Sequence, residues 1–211
     1  MSINRFDLTG RRALITGSSQ GIGFALAKGL AAAGAQVVLN GRDAGKLAAA
    51  VAQIDGALAL PFDATQHAAV RAAVDGFETA VGPIDILINN AALIINKPFQ
   101  DFTLEEYDTQ LRVNASDTFA LTRACVPAMK AKGWGRVINM TSLTLNGQWD
   151  GFVPYVAPKG SMLGLTKGLA REWGQHGITV NAIAPGAVVS EAEDRVFGDR
   201  LSEYNSFILK N

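Results

Sequence analysis

Short apolar runs rich in β-formers alternate with alanine-rich stretches along most of this chain. We predict strands at residues 12–16, 36–39, 57–62, 84–89, 135–141 and 178–184. Most of these runs lack strict alternation of apolar and polar residues, which is typical of strands covered on both faces. Strands separated by helices predict βαβ units. We therefore expect an α/β fold with one doubly wound parallel sheet, forming a single domain over residues 1–211.

Apolar residues at helical spacing predict helices between these strands. They cover residues 22–33, 46–54, 68–80, about 103–132 and about 153–173, and Gly34 ends the first. Pro127 predicts a kink or break in the long fourth helix, because proline removes a backbone donor. Residues 185–211 show no strand pattern, and 191–203 are charged.

Composition narrows the class of protein. Apolar residues make up 48% of the 211 residues, which excludes a disordered chain. Because 19 basic residues balance 19 acidic ones, nucleic acid or an anionic membrane is not expected as the main partner. The chain shows no membrane-spanning run and no signal-peptide core. With Cys125 as its one cysteine and only two histidines, we expect a cytoplasmic protein without a disulfide or a metal site.

A glycine-rich segment, Thr-Gly-Ser-Ser-Gln-Gly-Ile-Gly at 16–23, lies between the first predicted strand and helix. In dinucleotide-binding folds the first glycine allows a tight turn, the second admits a pyrophosphate, and the third lets the helix pack closely. Gly17, Gly21 and Gly23 fit these roles, and the helix N-terminus would offer N–H groups to the phosphates. Glycines that merely shape a turn are the simpler alternative.

The end of the second strand bears on which dinucleotide binds. An acid that hydrogen-bonds the ribose 2′-OH is often found there, but Asn-Gly-Arg-Asp at 40–43 has a guanidinium instead. Arg42 can bind a 2′-phosphate bidentately, so we favour NADP over NAD. An ordinary solvated arginine is the alternative, and Asp43 could equally be the N-cap of the next helix.

Tyr155 and Lys159 are four residues apart on the last long predicted helix, so they share one face. A nearby ammonium favours the phenolate, and moving a tyrosine pKa from about 10 to about 7 takes roughly 4 kcal/mol. Because such pairs are common on helices, this one alone decides little.

Taken together, these segments resemble the short-chain dehydrogenase/reductase family along the whole chain. The matching residues, in the family's usual order and spacing, are 16–23, Asp63, 89–92, Asn114, Ser142, 155–159 and 185–186. The resemblance implies a three-layer αβα Rossmann fold. It also implies an oxidoreductase that moves hydride between NADP or NAD and the carbonyl or secondary alcohol of a small molecule.

The resemblance implies roles for single residues. Tyr155 would exchange a proton with the substrate oxygen, while Lys159 would bind the nicotinamide ribose and lower the Tyr155 pKa. Ser142 would hydrogen-bond the substrate, and Asn114 would hold a relay water. Asp63 would contact adenine, and Asn89 would flank the cofactor. The implied cofactor-binding residues are Gly17, Ser19, Gln20, Gly21, Ile22, Gly23, Arg42, Asp63, Ala64, Asn90, Ala91, Tyr155, Lys159, Pro185, Gly186, Val188 and Ser190.

Three departures from the family pattern stand out. Ala92 replaces a glycine, Gln20 is not the basic residue frequent in NADP-dependent members, and the chain ends at Asn211. Members continue through further helices and a seventh strand, so we expect six strands of a longer polypeptide with its C-terminal part missing. The sixth strand would then keep an unpaired apolar edge, and residues after about 190 would be poorly anchored.

The substrate is less constrained by the sequence. Residues 37–43 and 89–98 resemble sugar-acid dehydrogenases, such as gluconate 5-dehydrogenases, and 3-oxoacyl-carrier-protein reductases. The loop after Ser142 favours a hydroxylated substrate, such as a sugar, sugar acid or polyol, because it offers Thr144, Asn146, Gln148 and Trp149. A cofactor-binding protein without turnover is the alternative function. An unrelated Rossmann methyltransferase would not need Ser142, Tyr155 and Lys159.

The two long helices carry apolar residues beyond one core-facing stripe. These are Phe119, Leu121, Val126, Met129, Met162, Leu163, Leu165 and Leu169. A monomer would expose such a second apolar face. Because the resembled family commonly forms tetramers through these helices, we expect a homo-oligomer, either a dimer or a tetramer.

Overall fold

Six parallel strands form one sheet in the order β3-β2-β1-β4-β5-β6. The computed structural model describes residues 6–147, 150–188 and 196–208. The strands are β1 Arg12–Ile15, β2 Gln36–Leu39, β3 Leu58–Ala59, β4 Ile86–Asn89, β5 Gly135–Met140 and β6 Ile178–Ile183. The strand order reverses between β1 and β4, and ligands bind at such a reversal, beyond the carboxyl ends of the strands. The expected doubly wound sheet is confirmed.

Helices cover both faces of the sheet and complete three layers. They are α1 Gly21–Ala32, α2 Ala44–Val51, α3 His67–Ala80, α4 Leu104–Leu111, α5 Asp117–Lys132, α6 Val153–Trp173 and α7 Leu201–Ile208. Ala13 and Ile15 of β1 pack with α1 and α2, whereas Leu14 packs with α3, α5 and α6. Alternate residues of a buried strand therefore supply two separate cores, as the run of apolar residues predicts.

The third strand is much shorter than the sequence predicts. Only Leu58 and Ala59 pair with β2, opposite Val38 and Leu39. Pro61 has no backbone N–H to donate, and β3 lies at the edge of the sheet, so nothing extends the pairing beyond it. The predicted boundaries of 57–62 are therefore too wide.

The break in the long fourth helix is not at Pro127. Five residues of π-helix, Arg112–Ser116, separate α4 from α5, and Pro127 lies inside continuous α5. Pro127 and Arg123 are both exposed, so water can bond the Arg123 carbonyl that proline leaves without a donor. The predicted break is therefore wrong at Pro127, where a kink remains a prediction, and the π turn contains Asn114.

The apolar face expected on α5 and α6 is narrower than the sequence suggests. Half of the eight residues are buried in their own chain: Leu121, Val126, Met129 and Met162. Phe119 and Leu163 remain exposed. The face is narrower because α5 packs against both the sheet and α3, and α6 packs against both the sheet and α4, so each helix buries more than one stripe.

The C-terminal segment, residues 196–208, contacts the residue before α6 and the loop after β4. The Phe197 ring meets Phe152 edge-on at 6.1 Å and stacks on Tyr204 at 3.8 Å. Arg200 Nη1 lies 3.4 Å from Asn96 Oδ1. These contacts tie residues 196–208 to the rest of the chain at two points, and poor anchoring after about residue 190 remains a prediction. Within the described residues, no strand pairs with the outer edge of β6.

Among the described residues, no helix is both long enough and apolar enough to cross a membrane.

Candidate active site

A cleft of about 1010 Å³ opens where the strand order reverses. It brings together most of the residues that the sequence singled out, from the segments that follow all six strands and from α6. Those lining it are Gly17, Ser19, Gln20, Gly21, Ile22, Gly23, Arg42, Asp63, Ala64, Asn89, Asn90, Ala91, Ser142, Thr144, Tyr155, Lys159, Pro185, Gly186 and Val188. Gln148, Trp149 and Ser190 lie outside the described residues, so their predicted roles remain predictions.

The glycine loop is shaped to receive a dinucleotide. Gly17 and Gly21 have φ angles of +60° and +59°, which side chains rarely tolerate. A Cβ on Gly23 would lie 2.5 Å from the Gly17 carbonyl oxygen, so only glycine fits there. No side chain caps the N-terminus of α1, and its N–H groups can therefore bind a pyrophosphate.

Asn90 clamps the glycine loop to the loop after β4. Its Nδ2 donates to the Thr16 carbonyl at 2.9 Å, and its backbone N–H donates to Thr16 Oγ1 at 3.0 Å. Asn89 also lines the cleft but is only 3% exposed. Its side-chain amide donates hydrogen bonds to Thr122 and Asn139, so it ties the end of β4 to α5 and β5.

Asp63 lines the cleft after β3 and is held by its hydrogen bonds to Thr65. Its Oδ1 accepts from the backbone and the hydroxyl of Thr65, at 3.0 and 2.9 Å. Partial burial raises the pKa of Asp63. The hydrogen bonds from Thr65 and the charge of Arg42 together lower it by more, so the net shift is downward. Asp63 is therefore a carboxylate, and its second oxygen is available for a donor.

A second carboxylate, which no sequence pattern identified, stands in the same wall. Asp117 is 3% exposed, and its Oδ1 lies 2.8 Å from His67 Nε2. Burial raises the pKa of Asp117, and the hydrogen bond to His67 opposes that shift. The pair joins α3 to α5 across 50 residues of sequence, and no local spacing predicts it.

The Arg42 side of the cleft carries two cations. Asp43 Oδ1 accepts from the Lys46 backbone N–H at 3.0 Å, so Asp43 is the N-cap of α2, as one reading of the sequence had it. Lys46 Nζ reaches Gln20 Oε1 at 3.5 Å and lines the cleft beside Arg42. Lys46 was missed, although its place in the first turn after Asp43 was a usable signal.

Ser142, Tyr155 and Lys159 meet at the other end of the cleft. Ser142 follows β5, and its Oγ accepts from the Thr144 hydroxyl at 2.9 Å and the Thr144 backbone at 3.2 Å. Thr144 therefore leaves the Ser142 proton available for the Tyr155 oxygen or for a substrate oxygen. Tyr155 and Lys159 lie on successive turns of α6, 6% and 2% exposed. Lys159 Nζ donates to the Met140 carbonyl at 2.6 Å.

Burial decides the protonation of this group. It raises the pKa of Tyr155 to about 12, which the Ser142 hydroxyl opposes, and it lowers the pKa of Lys159 to about 8. Lys159 does not contribute to the Tyr155 shift, because desolvation dominates it and the Lys159 amine bonds the Met140 carbonyl. Tyr155 is a neutral phenol at physiological pH and can give its proton to a carbonyl oxygen.

Asn114 lies behind the cleft rather than in its wall. It is 1% exposed, and both ends of its amide are bonded to Leu93. Oδ1 accepts from the Leu93 N–H at 3.0 Å, and Nδ2 donates to the Leu93 carbonyl at 2.8 Å. The structure thus shows Asn114 holding a loop of the cleft, and its role toward a relay water remains a prediction.

The described wall near Ser142 and Tyr155 is more apolar than expected. The Phe152 ring lies 6.0 Å from that of Tyr155. Apolar and aromatic side chains of three further loops complete this wall, namely Leu93, Ile94, Leu143, Phe197 and Tyr204. Thr144, expected to meet a substrate hydroxyl, donates its own hydroxyl to Ser142 instead. The described residues therefore add apolar surface to the polar groups that the sequence predicts for this pocket.

Comparisons with known proteins agree with this site. A family model described as short chain dehydrogenase matches residues 11–200. Gluconate 5-dehydrogenase of Gluconobacter oxydans is 39% identical over 209 residues, 97% of this chain and 81% of that protein. D-beta-hydroxybutyrate dehydrogenase of Rhizobium meliloti is 36% identical over 202 residues, 90% and 76% of the two chains.

A solved structure extends the similarity to three dimensions. It is a gluconate 5-dehydrogenase from Burkholderia cenocepacia in complex with NADP and tartrate, with a TM-score of 0.89 and 39% identity. The match covers 97% of this chain and 82% of that one. This chain belongs to the short-chain dehydrogenases and is an NAD(P)-dependent oxidoreductase.

Proposed function

We propose that this enzyme interconverts a carbonyl and a secondary alcohol on a small hydroxylated acid of the sugar-acid type, with NADP(H) as the preferred cofactor. The observation that carries the chemistry is the buried phenol of Tyr155 beside the Ser142 hydroxyl, at one end of a dinucleotide cradle. Similarity to gluconate 5-dehydrogenases supports the sugar-acid substrate.

The residues of this chain divide the work along the cleft. The N-terminus of α1 would hold the pyrophosphate, Asp63 the adenine amine, and Arg42 with Lys46 the 2′-phosphate. The bound nicotinamide supplies or accepts the hydride. Ser142 donates a hydrogen bond to the substrate oxygen, and Tyr155 gives that oxygen a proton in reduction or takes it in oxidation. The Lys159 amine, one turn after Tyr155 on α6, would bind the nicotinamide ribose.

A second substrate class follows from the apolar wall. Leu143, Phe152 and Phe197 favour a short aliphatic hydroxy acid over a fully hydroxylated one, because they offer no hydrogen bonds to hydroxyl groups. The similarity to a D-beta-hydroxybutyrate dehydrogenase supports this candidate. The two classes differ in the number of hydroxyl groups, so one screen separates them.

The test is a screen of both classes with both cofactors. We expect the highest kcat/KM for gluconate oxidation or 5-ketogluconate reduction with NADP(H), and low values for threitol and 3-hydroxybutyrate. Higher kcat/KM for 3-hydroxybutyrate would favour the second class. Tight cofactor binding without turnover of any of these compounds would favour the alternative of a non-catalytic cofactor-binding protein.

We also propose that the chain forms a homo-oligomer, at least a dimer, through α5 and α6. Phe119 is 51% exposed and Leu163 is 37% exposed on these helices. A groove of about 680 Å³ runs between α3, α5 and α6 beside Phe119 and Leu165. A second copy would cover these apolar side chains, which a monomer leaves in water.

A further inference from the structure

Two side-chain amides hold the loop that follows β4. Asn114 bonds both backbone groups of Leu93, and Gln110 Oε1, one turn earlier in the helix, accepts from the Ile95 N–H at 3.3 Å. The residue between these two anchors, Ile94, lines the cleft. The oxygen of the Gln110 amide must face Ile95, because a backbone N–H needs an acceptor.

Stability does not explain a glutamine at this position. Gln110 is completely buried, and its Nε2 has no hydrogen-bond partner among the described residues. An unsatisfied buried amide is unfavourable, and an apolar side chain of the same length would avoid the penalty. Gln110 makes one hydrogen bond, at 3.3 Å, and both N–H donors of its amide lack an acceptor among the described residues. The benefit of a glutamine here is therefore the position that this bond gives to Ile95.

We infer that Gln110 is a positioning residue of the substrate site. By holding the Ile95 N–H, it fixes Ile94 in the wall of the cleft, next to the Leu93 backbone that Asn114 holds. Gln110 and Asn114 thereby join the helix around the π turn to the loop that shapes the cleft. The inference rests on the proposed function only in naming a small hydroxy acid as the molecule that meets Ile94.

The test replaces the amide without emptying its space. Gln110→Met keeps the length of the side chain but removes the acceptor and the unmet donors, and Gln110→Glu restores an acceptor. Thr122→Val is the matched control, because it removes a buried hydroxyl that accepts from Asn89, away from the loop. Hydrogen exchange of the backbone amides at 93–98, the Kd of NADPH, the Tm, and the KM and kcat for the screened substrate are measured for each.

We expect Gln110→Met to exchange faster at 93–98, with an equal or higher Tm and an unchanged Kd for NADPH. Loss of one hydrogen bond should raise the substrate KM about fivefold, with a smaller change in kcat. Gln110→Glu should bring KM most of the way back to the wild-type value. Thr122→Val should lower the Tm and leave exchange at 93–98 as it was.

Two results would overturn the inference. One is unchanged exchange and unchanged KM in Gln110→Met. The other is a lower Tm with KM and NADPH Kd worsening together, which is what a merely structural residue would give. If the wild type turns over none of the screened compounds, the proposed function fails, and exchange at 93–98 alone then supports or overturns the positioning role of Gln110.

Discussion

The chemistry of Tyr155 is set by its surroundings more than by its neighbour in the helix. The i, i+4 spacing brings Lys159 near, with Nζ 5.4 Å from the centre of the phenol ring. Burial nevertheless raises the pKa of Tyr155 and lowers that of Lys159, so both groups are pushed toward their neutral forms. A neutral phenol is the form that can act as an acid toward a carbonyl oxygen.

Tyr155→Phe removes this acid and little else. We expect kcat to fall at least about 100-fold, because general acid catalysis contributes on that scale, while the Kd of NADPH changes less than about twofold. Steady-state kinetics and fluorescence titration with NADPH measure both quantities. Tyr107→Phe, the same change in α4, is the control, and a tenth or more of wild-type kcat in Tyr155→Phe would contradict the role.

Lys159 makes stability depend on pH in a defined window. Its pKa is about 8 in the folded chain against 10.5 for the free side chain, so the folded state binds fewer protons between these values and gains stability as pH rises. Lys159→Met lacks this titration. We expect urea unfolding to show the wild type gaining about 2 kcal/mol relative to the variant from pH 7.5 to 10. Parallel pH profiles would show that the buried amine does not titrate in this range.

Arg42 and Lys46 should decide between the two cofactors. A charged hydrogen-bond pair to the 2′-phosphate contributes about 1.5 to 3 kcal/mol, so Arg42→Ala should weaken NADPH binding roughly 10- to 100-fold and leave NADH binding unchanged. Lys46→Ala should have a smaller effect in the same direction. Titration with each cofactor measures this, with Lys28→Ala as the control. Equal losses of affinity for both cofactors would show that Arg42 and Lys46 do not bind the 2′-phosphate.

At the scale of elements, the two ends of the sheet have different tasks. The carboxyl ends of the strands carry the cleft, whereas the amino ends are tied together by a buried charge. Asp85, just before β4, is 2% exposed. It accepts from the Arg12 N–H at 3.0 Å, lies 3.6 Å from the Arg11 guanidinium and contacts the Lys132 ammonium at the end of α5.

Asp85→Asn tests how much this junction stabilises the fold. The variant keeps the shape but removes the charge that two cations share, and we expect it to cost about 2 to 3 kcal/mol in the free energy of unfolding. Asp75→Asn is the matched control, because Asp75 pairs with Arg71 at 2.6 Å on the surface. Exposed pairs contribute about 0.5 kcal/mol, so similar losses in the two variants would refute the argument from burial.

At the scale of the whole molecule, one helical layer remains partly uncovered. The groove beside Phe119 and Leu165 also contains the basic side chains His67, Arg71 and Arg123. His67 bonds Asp117 in the wall of the cleft, so the proposed interface and the cofactor site share one hydrogen-bonded pair. Assembly through this face would therefore bring a second copy close to the cofactor site.

Disrupting this face should change the mass of the particle. We expect the wild type to exceed the monomer mass of 22.2 kDa in light scattering at micromolar concentration. Phe119→Ser with Leu163→Glu should shift it to the monomer, because a charge and a polar group would be buried in the interface. Phe99→Ser is the control, because Phe99 is 66% exposed and lies outside α5 and α6. A monomeric wild type would refute the proposed assembly.

The meeting of Ser142, Tyr155 and Lys159 was expected from the resemblance to the family, whereas local patterns in the sequence were enough for the order of the strands and helices and for the glycine loop. These features depend on residues that lie within a few positions of one another, or on strand ends that a parallel sheet must bring to one edge. The same patterns did not predict the short β3 or the π turn at 112–116, because edge pairing and loop contacts decide those.

Only the tertiary structure decided which side chains support the cleft wall and how the pKa values in the cleft shift. Gln110 meets Ile95, and His67 meets Asp117, through packing between elements that no spacing in the sequence connects. The pKa directions of Tyr155 and Lys159 follow from depth of burial, which depends on every chain segment that covers them. Sequence periodicity determines which face of an element is buried, but the chemistry of a buried group depends on what the fold packs against it.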